Sequence, residues 1–365
     1  MKILFISHDA SRTGAPILLL NLAKLILNFN EHEVTFLLKN GGVLETDFSS
    51  IAPTYFLKNK QKRSRLSFLF RIKKSIIENH LFLNSFDLII SNTITNGDIL
   101  EIIKKTYQGK IISYIHELEI ASKTFSNEQN ILKLIQNSTR FWVPSSIVNN
   151  YLKDKLKIDQ HNIFTMPYHI PNYSSEIKLK KIKKEFIVGG CGTTDWRKGA
   201  DLLIVIAKQL FLKYPDVSIV FRWAGANSGI QLDKLNYEIG KSELTNKVFF
   251  EFSSSDLNDF YNSIDLLLLP SREDPYPLVI LEAAKFNIPS ICFDSVCGSK
   301  DFILDSSGGI IVPFLDIEGV IQAIINLYND TEYRNKLGEN ANFYLNSTHS
   351  NDEFVYDIFK ELIEK

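Results

Sequence analysis

Short apolar runs of strand length alternate with helical patterns along this 365-residue chain, and this alternation restricts the folds that it can adopt. The strands predicted in the first half are Lys2–Ser7, Glu33–Leu38, Leu88–Ser91, Lys110–Tyr114 and Arg140–Val143. Strands that alternate with helices form a parallel sheet that is covered on both faces. The first half is therefore predicted to be one doubly wound α/β domain, whose first helix is Ile17–Leu27.

The same pattern begins again near residue 186. The strands predicted there are Phe186–Gly190, Val217–Trp223, Val248–Phe252, Leu266–Pro270 and Ser290–Phe293, and the helices are Ala200–Lys213, Leu278–Lys285, Val320–Tyr328 and Asp352–Glu364. Two successive doubly wound domains fit both this repetition and a length of roughly 100–200 residues per domain. Ligands of such sheets bind outside the carboxyl ends of the strands, so we expect a site in the cleft between the domains.

Charge also divides the chain near residue 172. The first 172 residues carry 21 Lys and Arg against 14 Asp and Glu, a net charge of +7, and the remainder carries 20 against 28, a net charge of -8. The balance of -1 for the whole chain hides this asymmetry. A basic first half suggests an anionic partner for that half.

Cysteine usage and hydropathy exclude several classes of protein. Cys191, Cys292 and Cys297 are too few and too badly spaced for a zinc knuckle, and an odd number argues against a disulfide framework. A reducing compartment fits best. The apolar run at the start is short and soon reaches His8, so it predicts a strand and not a secretory signal. No apolar run approaches the ~18 residues of a membrane span, and the histidines lack metal-ligand spacing.

In each predicted domain, one glycine-containing loop follows the first strand. Gly14 and Ala15 open the first helix, where backbone N–H groups can hold an anion, although the same residues suit an ordinary strand-to-helix turn. In the loop of residues 189–201, Arg197 and Lys198 can neutralise a diphosphate; a solvated basic turn is the alternative. Neither loop has the G-x-G-x-x-G pattern of dinucleotide sites.

An acidic loop follows the predicted strand that ends at Pro270 and leads into the helix that begins near Leu278. Asp274 stands in the loop and Glu282 about one turn into the helix, so both can face the same cleft. Carboxylates accept hydrogen bonds from hydroxyl-rich ligands, and the N–H groups at the helix start, at Leu278 and Val279, can bind phosphate oxygens. Seen alone, two acids near a helix start also fit surface residues that stabilise the helix dipole.

These three loops, together with two further motifs, resemble one enzyme family. The two motifs are Tyr114-Ile-His116-Glu117 and Val143-Pro-Ser145-Ser146, and the acidic loop and its helix read Ser271-Arg-Glu-Asp-Pro-Tyr-Pro-Leu-Val-x-Leu-Glu-Ala. The chain resembles the family-4 retaining glycosyltransferases, or glycosyl transferases group 1, of the bacterial surface-polysaccharide type, over nearly its whole length. The resemblance implies the GT-B fold, in which two Rossmann-like doubly wound domains face a cleft.

The resemblance also implies a division of labour. Residues 1–172 would form an acceptor-binding domain, residues 173–350 a nucleotide-sugar-binding domain, and residues 351–365 a helix that packs back on the first domain. The implied reaction is a retaining, metal-independent transfer of a hexosyl group from a UDP- or GDP-sugar to a hydroxyl of a glycan or lipid-linked acceptor. The enzyme would need no cofactor and would work in the cytoplasm, in cell-surface polysaccharide biosynthesis.

Three residues are implied to act in catalysis. Lys198 matches the lysine that assists departure of the diphosphate, Asp274 the acid that contacts the hydroxyls of the transferred sugar, and His116 the histidine near the reacting sugar. Glu282 matches the acid that binds the donor ribose. The residues implied to bind the donor are Gly14, Ala15, Arg197, Lys198, Glu273, Asp274, Leu278, Val279 and Glu282.

Two positions depart from the family pattern. An arginine usual in the family falls on Thr193, so Arg197 is a candidate replacement. The first acid of the acidic motif, usually glutamate, falls on Asp274, so Glu273 is a candidate substitute. These departures leave two alternatives open: a nucleotide-sugar epimerase or hydrolase on the same fold, and a non-catalytic nucleotide-sugar-binding partner of a glycosylation complex.

The segment of residues 58–77 is strongly basic at its start. Eight Lys and Arg stand between residues 58 and 74 with no acid, interleaved with large apolar residues. This fits a core helix with a basic edge, or an interfacial segment on the anionic inner face of the plasma membrane. A nucleic-acid partner is not expected, because the aromatic residues there are phenylalanines placed like core residues.

Overall fold

The computed structural model describes residues 1–57, 80–171, 185–252 and 257–365. The basic segment of residues 58–77 lies outside the described residues. The chain divides into two compact units, one formed by Met1–Pro171 with Ser350–Lys365 and the other by Asn172–His349.

Each unit is built on a sheet whose recorded strand pairs are all parallel. The strands of the first unit are β1 (Lys2–Ser7), β2 (Glu33–Leu38), β3 (Thr54–Phe56), β4 (Leu88–Asn92), β5 (Lys110–Tyr114), β6 (Arg140–Val143) and β7 (Ile163–Thr165). Those of the second are β8 (Phe186–Cys191), β9 (Ile219–Ala226), β10 (Val248–Phe252), β11 (Leu266–Leu269), β12 (Ser290–Phe293) and β13 (Gly309–Val312). The sheet orders are β3-β2-β1-β4-β5-β6-β7 and β10-β9-β8-β11-β12-β13.

Helices connect the strands, as parallel pairing requires. In chain order they are α1 (Gly14–Asn28), α2 (Glu45–Ile51), α3 (His80–Leu83), α4 (Gly97–Ile103), α5 (Glu119–Phe125), α6 (Glu128–Asn137), α7 (Ser146–Asn150), α8 (Ala200–Lys213), α9 (Ile230–Lys241), α10 (Asn258–Ser263), α11 (Leu278–Lys285), α12 (Ser299–Ser306), α13 (Ile317–Asn329), α14 (Thr331–Ser347) and α15 (Asp352–Glu364). The central strands are buried on both faces; every residue of β4 and β11, for example, is buried.

The structure corrects several predicted bounds. Helix α1 begins at Gly14 and not at Ile17, so the glycine is its first residue. Strand β9 begins at Ile219 and continues to Ala226, beyond the predicted end at Trp223. Strand β11 ends at Leu269, which places Pro270 in the following loop. These shifts place Gly14 at the start of α1 and Pro270 directly after β11.

The last helix, α15, packs within the first unit. Tyr356 stacks on Phe29 at the end of α1, with ring centroids 3.8 Å apart and planes inclined by 3°. His169 Nε2 lies 2.8 Å from an Asp352 carboxylate oxygen, and the Lys110 ammonium donates to the Ile363 carbonyl at 2.7 Å. The chain therefore returns to its first unit after completing the second.

Candidate active site

The loop between β8 and α8 is held by the Asp195 carboxylate. Its Oδ1 accepts hydrogen bonds from the backbone N–H groups of Arg197 at 2.9 Å and Lys198 at 3.3 Å. Its Oδ2 accepts from the Thr193 hydroxyl at 2.6 Å and lies 3.6 Å from the Arg197 guanidinium. A side chain that satisfies N–H groups two and three residues on fixes a tight turn. Asp195 thereby positions both basic residues that the sequence singled out.

Gly199 ends this loop and brings it against the segment after β11. Its φ of +72° lies in the left-handed region, and a Cβ there would meet the Pro270 carbonyl oxygen at 2.0 Å. The Arg197 carbonyl accepts backbone hydrogen bonds from Arg272 at 2.7 Å and Glu273 at 3.3 Å. The two loops are therefore joined backbone to backbone, and only glycine fits the contact point.

Across this junction Lys198 pairs with Asp274. The ammonium lies 2.7 Å from Asp274 Oδ2, and the two side chains are 20% and 4% exposed. Ser271 donates a second hydrogen bond to the same oxygen at 3.3 Å. The Asp274 backbone is bonded on both sides, with its N–H on the Val296 carbonyl and its carbonyl accepting from Gly298, each at 2.9 Å. The structure thus brings two predicted catalytic residues into one rigid, nearly dry ion pair.

A second ion pair stands behind this junction, and sequence reasoning missed it. The Arg272 guanidinium binds Asp201 through both nitrogens, at 2.8 and 2.6 Å. It also donates to the Trp196 carbonyl at 2.9 Å and lies 5.3 Å from the centre of the Trp196 ring. A two-pronged guanidinium–carboxylate bond fixes orientation as well as distance. Because the two partners are 71 residues apart in the chain, no local pattern could have indicated the contact.

Glu282 lies one turn into α11, beside a buried tyrosine. The Tyr261 hydroxyl donates to Glu282 Oε2 at 2.6 Å. Burial raises the pKa of the Glu282 carboxyl, because it disfavours the charged form. Burial also raises the pKa of the Cys191 thiol to about 12, with the Glu282 charge raising it further and the Lys198 charge opposing this. The thiol at the end of β8 therefore lies within electrostatic range of both predicted donor-binding residues.

The first turn of α11 contains no acidic residue. Pro277 precedes the helix and makes no side-chain cap, and Leu278 and Val279, its first two residues, are partly exposed. The first N–H groups of a helix have no partner within the helix, and the dipole gives this end a partial positive charge. This end of α11 can therefore bind an anion.

In the first unit, His116 follows β5 and is 7% exposed. Its Nε2 lies 2.7 Å from Asn92 Oδ1 and its Nδ1 3.0 Å from the Tyr168 hydroxyl. Asn92 donates through its amide nitrogen to the Ala15 carbonyl at 2.9 Å, so its oxygen faces the histidine and Nε2 carries the proton. Burial lowers the pKa of His116 to about 3. His116 is therefore a neutral hydrogen-bonding group linked through Asn92 to the loop of Gly14 and Ala15.

Glu117, the next residue, is a buried acid that the sequence analysis did not use. One carboxylate oxygen accepts from the backbone N–H groups of Ile94 at 3.1 Å and His116 at 3.0 Å. These bonds span the ends of β4 and β5, where Thr93 has a φ of +79°, a strained value for a β-branched residue. Burial raises the pKa of Glu117 to about 7, against the opposing effect of the backbone hydrogen bonds.

Glu117→Gln is expected to change how stability depends on pH. The folded state holds the Glu117 proton up to about pH 7, whereas the unfolded state loses it near 4.5. This carboxyl therefore lowers the free energy of unfolding as the pH rises from 4.5 through 7, by about 3 kcal/mol in total. Glutamine keeps an acceptor oxygen and never ionises, so the variant gains stability over the wild type across this range.

Urea unfolding of both proteins across this pH range measures the difference. The effect of burying neutral His116 has the opposite sign below pH 6.5, where stability is lost as the pH falls, but both proteins share it. A difference in unfolding free energy that stays constant with pH would show that Glu117 titrates like an exposed glutamate.

Among the described residues, no group of three or more His, Cys, Asp or Glu side chains is arranged to hold a metal ion. The three cysteines are buried free thiols. Within residues 1–57, 80–171, 185–252 and 257–365, no helix has the length and apolar character needed to cross a membrane.

The second unit matches a known family. Residues 174–342 fit the family model described as glycosyl transferases group 1, and this range contains the Lys198–Asp274 pair, Glu282 and α11. The second unit is a group 1 glycosyltransferase domain.

Relatives and solved structures extend the likeness to the whole chain. The O-antigen biosynthesis glycosyltransferase WclY of Escherichia coli is 23% identical over 339 residues, which cover 82% of this chain and 85% of that protein. The capsular polysaccharide biosynthesis glycosyltransferase CapM of Staphylococcus aureus is 24% identical over 175 residues, 48% of this chain and 45% of that protein. The crystal structure of Anabaena Alr3699/HepE in complex with UDP and glucose covers both chains completely with a TM-score of 0.80 at 17% identity. The predicted GT-B fold is confirmed.

The structure therefore brings some predicted residues of the group 1 domain together and assigns others elsewhere. Lys198 and Asp274 are in contact, whereas Arg197 is engaged by Asp195. Glu273 is buried beside Asp274 and bonded through its backbone to the Arg197 carbonyl. The roles given to all of these residues stay predictions. The residues that sequence reasoning missed are Asp195, Asp201, Tyr261, Arg272, Asn92, Tyr168 and Glu117.

Proposed function

We propose that this chain transfers a hexosyl group from a UDP- or GDP-sugar to a hydroxyl of a glycan or lipid-linked acceptor, with retention of configuration and without a metal ion. The observation that carries the proposal is the Lys198–Asp274 pair inside a group 1 domain. A buried carboxylate and a cation held at hydrogen-bond distance can each bind one part of a sugar diphosphate. The carboxylate accepts the sugar hydroxyls and the ammonium binds the phosphate oxygens.

Lys198 would act most strongly as the glycosidic bond breaks. Negative charge grows on the departing diphosphate, so a fixed ammonium stabilises the transition state more than the bound donor. Asp195 holds the backbone of this loop, and Asp274 holds the Lys198 ammonium. The N–H groups of Leu278 and Val279 at the start of α11 would supply further anion contacts.

Glu282 would bind the donor ribose. Tyr261 donates to one oxygen of its carboxylate, and the other oxygen can accept from a ribose hydroxyl. The neighbouring Cys191 thiol has a raised pKa, so it stays protonated and adds no competing charge. HepE, whose structure resembles this one, was crystallised with UDP and glucose, which supports a UDP-sugar as the donor.

The first unit would bind the acceptor. His116 is neutral, and its two ring nitrogens are engaged by Asn92 and Tyr168, so it would hold its own loop in place near the reacting sugar and would not act as a charged acid. We nominate no protein nucleophile, and front-face attack assisted by the donor phosphate fits this set of residues. WclY and CapM are named for O-antigen and capsular polysaccharide biosynthesis. We infer that this chain builds a bacterial cell-surface polysaccharide.

We further propose that residues 58–77, which lie outside the described residues, attach the enzyme peripherally to the anionic inner face of the plasma membrane. Replacing Lys58, Lys60, Lys62 and Arg63 with serine is expected to weaken vesicle binding greatly, since each basic residue near such a surface contributes about 1 kcal/mol. Flotation on anionic vesicles at low and high salt measures this, because salt screens the attraction. Turnover with a short water-soluble acceptor should survive, and equal binding to neutral and anionic vesicles would contradict the proposal.

Product analysis on a panel of UDP- and GDP-sugars with candidate acceptors tests the proposed reaction. Release of nucleoside diphosphate together with a glycoside of unchanged anomeric configuration, seen by NMR and insensitive to a chelator, is the expected result. Free sugar or an epimer formed without acceptor would instead indicate a hydrolase or epimerase. Nucleotide binding without turnover on any acceptor would indicate a non-catalytic partner.

A further inference from the structure

A cavity of about 680 Å³ lies in the second unit between the β8–α8 loop and the start of α9. Its volume falls within the usual range of small-molecule sites. The lining includes Asp195, Trp196, Asp201, Asn227, Gln231, Lys234 and Glu238. Lys198, Asp274 and Glu282 do not line the cavity. The proposed donor site therefore does not account for this cavity.

Trp196 is the unusual residue of the lining. It is 57% exposed, whereas Trp142 and Trp223, the other tryptophans of the chain, are 0% and 1% exposed. An exposed tryptophan does not contribute the large apolar burial by which this side chain stabilises a core. Its position is nevertheless fixed by Arg272. The Arg272 guanidinium lies against the Trp196 ring, donates to the Trp196 carbonyl and also binds the Asp201 carboxylate. A rigid exposed aromatic ring beside a cavity is a preorganised platform for a ligand.

The charges of the lining indicate which ligand the platform suits. Asp195, Asp201 and Glu238 contribute three carboxylates and Lys234 one ammonium. Because Arg197 pairs with Asp195 and Arg272 with Asp201, the lining is close to electrically neutral and lacks the excess of cations that binds the phosphates of a nucleotide. Carboxylates and the amides of Asn227 and Gln231 instead offer acceptors and donors to hydroxyl groups. A neutral sugar ring has hydroxyls at its edge and an apolar C–H face that can rest on an indole.

We propose that this cavity, the Trp196 cavity, binds one or two sugar residues of a neutral glycan, a part of the acceptor or product chain other than the reacting end that the first unit would hold. The identity of the glycan as acceptor or product rests on the proposed function. The binding itself does not, because it depends only on Trp196 and the polar lining. The loop that carries Trp196 also carries Lys198, so occupancy would hold a glycan beside the donor-binding loop.

Saturation-transfer NMR on the full chain tests the proposal, with neutral trisaccharides of glucose, galactose, mannose and N-acetylglucosamine as probes. At least one trisaccharide should receive magnetisation, strongest on the C–H protons of one ring face. Trp196→Ala should reduce the transfer at least fivefold, and Trp196→Phe should restore most of it. Gln231→Ala should also reduce it without touching Arg272. Phe343→Ala removes an aromatic residue that is 76% exposed elsewhere in the unit and should change nothing.

Three results would overturn the proposal: no transfer to any of the four probes, equal transfer in wild type and Trp196→Ala, or displacement of the sugar by UDP or GDP. The last would make the cavity part of the nucleotide site. Nucleotide binding measured in the same samples keeps the two proposals apart. Nucleotide binding without sugar binding overturns only the Trp196 cavity, and sugar binding without nucleotide binding overturns only the proposed donor site.

Discussion

Lys198→Met is expected to lower kcat by about 10²–10³-fold, the loss typical of removing one fixed donor from a site where negative charge develops. Methionine keeps most of the side-chain volume and removes the charge. The Michaelis constant for the donor should change much less, because the ammonium interacts most strongly with the departing diphosphate. Steady-state kinetics separates the two. A change confined to the Michaelis constant would mean that Lys198 only binds the ground state.

Stability must be measured alongside, since the substitution leaves Asp274, 4% exposed, with only the Ser271 hydroxyl on that oxygen. Loss of a hydrogen bond to a charged group costs about 1.5–3 kcal/mol. The double variant Lys198→Met, Asp274→Asn should recover most of this stability and none of the turnover. Lys213→Met, which breaks the exposed ion pair with Glu318, is the matched control and should leave both unchanged.

Gly199→Ala is expected to disrupt the second unit. The residue has a φ of +72°, and the new Cβ would lie 2.0 Å from the Pro270 carbonyl oxygen, which is backbone and cannot rotate away. Strain in the left-handed region and overpacking each cost about 1–3 kcal/mol. The unfolding temperature should fall by on the order of 10 °C. Because the same contact joins the loops of Lys198 and Asp274, donor binding should weaken in whatever protein remains folded.

Gly240→Ala is the matched control. Gly240 lies near the end of α9 and a Cβ there meets nothing within 4 Å. Alanine at such a helical position stabilises a protein by about 0.4–1 kcal/mol. The unfolding temperature should therefore fall for Gly199→Ala and rise for Gly240→Ala. An unchanged unfolding temperature for Gly199→Ala would show that the two loops are not in contact at this point.

The buried strands could be predicted from the sequence because they are continuous apolar runs. Strands β1, β2, β5 and β6 have the predicted bounds, since burial on both faces selects mostly apolar residues. The three-residue strands β3 and β7 were missed, because so short an edge strand has no periodicity to detect. Helix α14 was also missed: Thr331–Ser347 is largely polar, and it gains its place by packing on α11 and α12.

The candidate site could be predicted only where a motif was local. Lys198 and Asp274 were found through motifs that the resemblance made recognisable, but their pairing across 76 residues was not visible in the sequence. Three of the supporting contacts are long-range: Arg272 reaches Asp201, Tyr261 reaches Glu282, and Asn92 reaches His116. Such contacts depend on which strand ends meet at one edge of a sheet. The strand order sets this, and no local sequence pattern shows it.

Calorimetric titration of the wild type and Glu282→Ala with UDP and GDP tests the central claim most directly, that the second unit binds a nucleotide-sugar donor beside α11. The wild type should bind one of the two nucleotides. Glu282→Ala should bind it tenfold or more weakly, since a hydrogen bond from a ribose hydroxyl to a carboxylate contributes about 1.5–3 kcal/mol. The Lys213→Met control should bind like the wild type. A wild type that binds neither nucleotide, or a Glu282→Ala variant that binds as tightly as the wild type, would contradict this account.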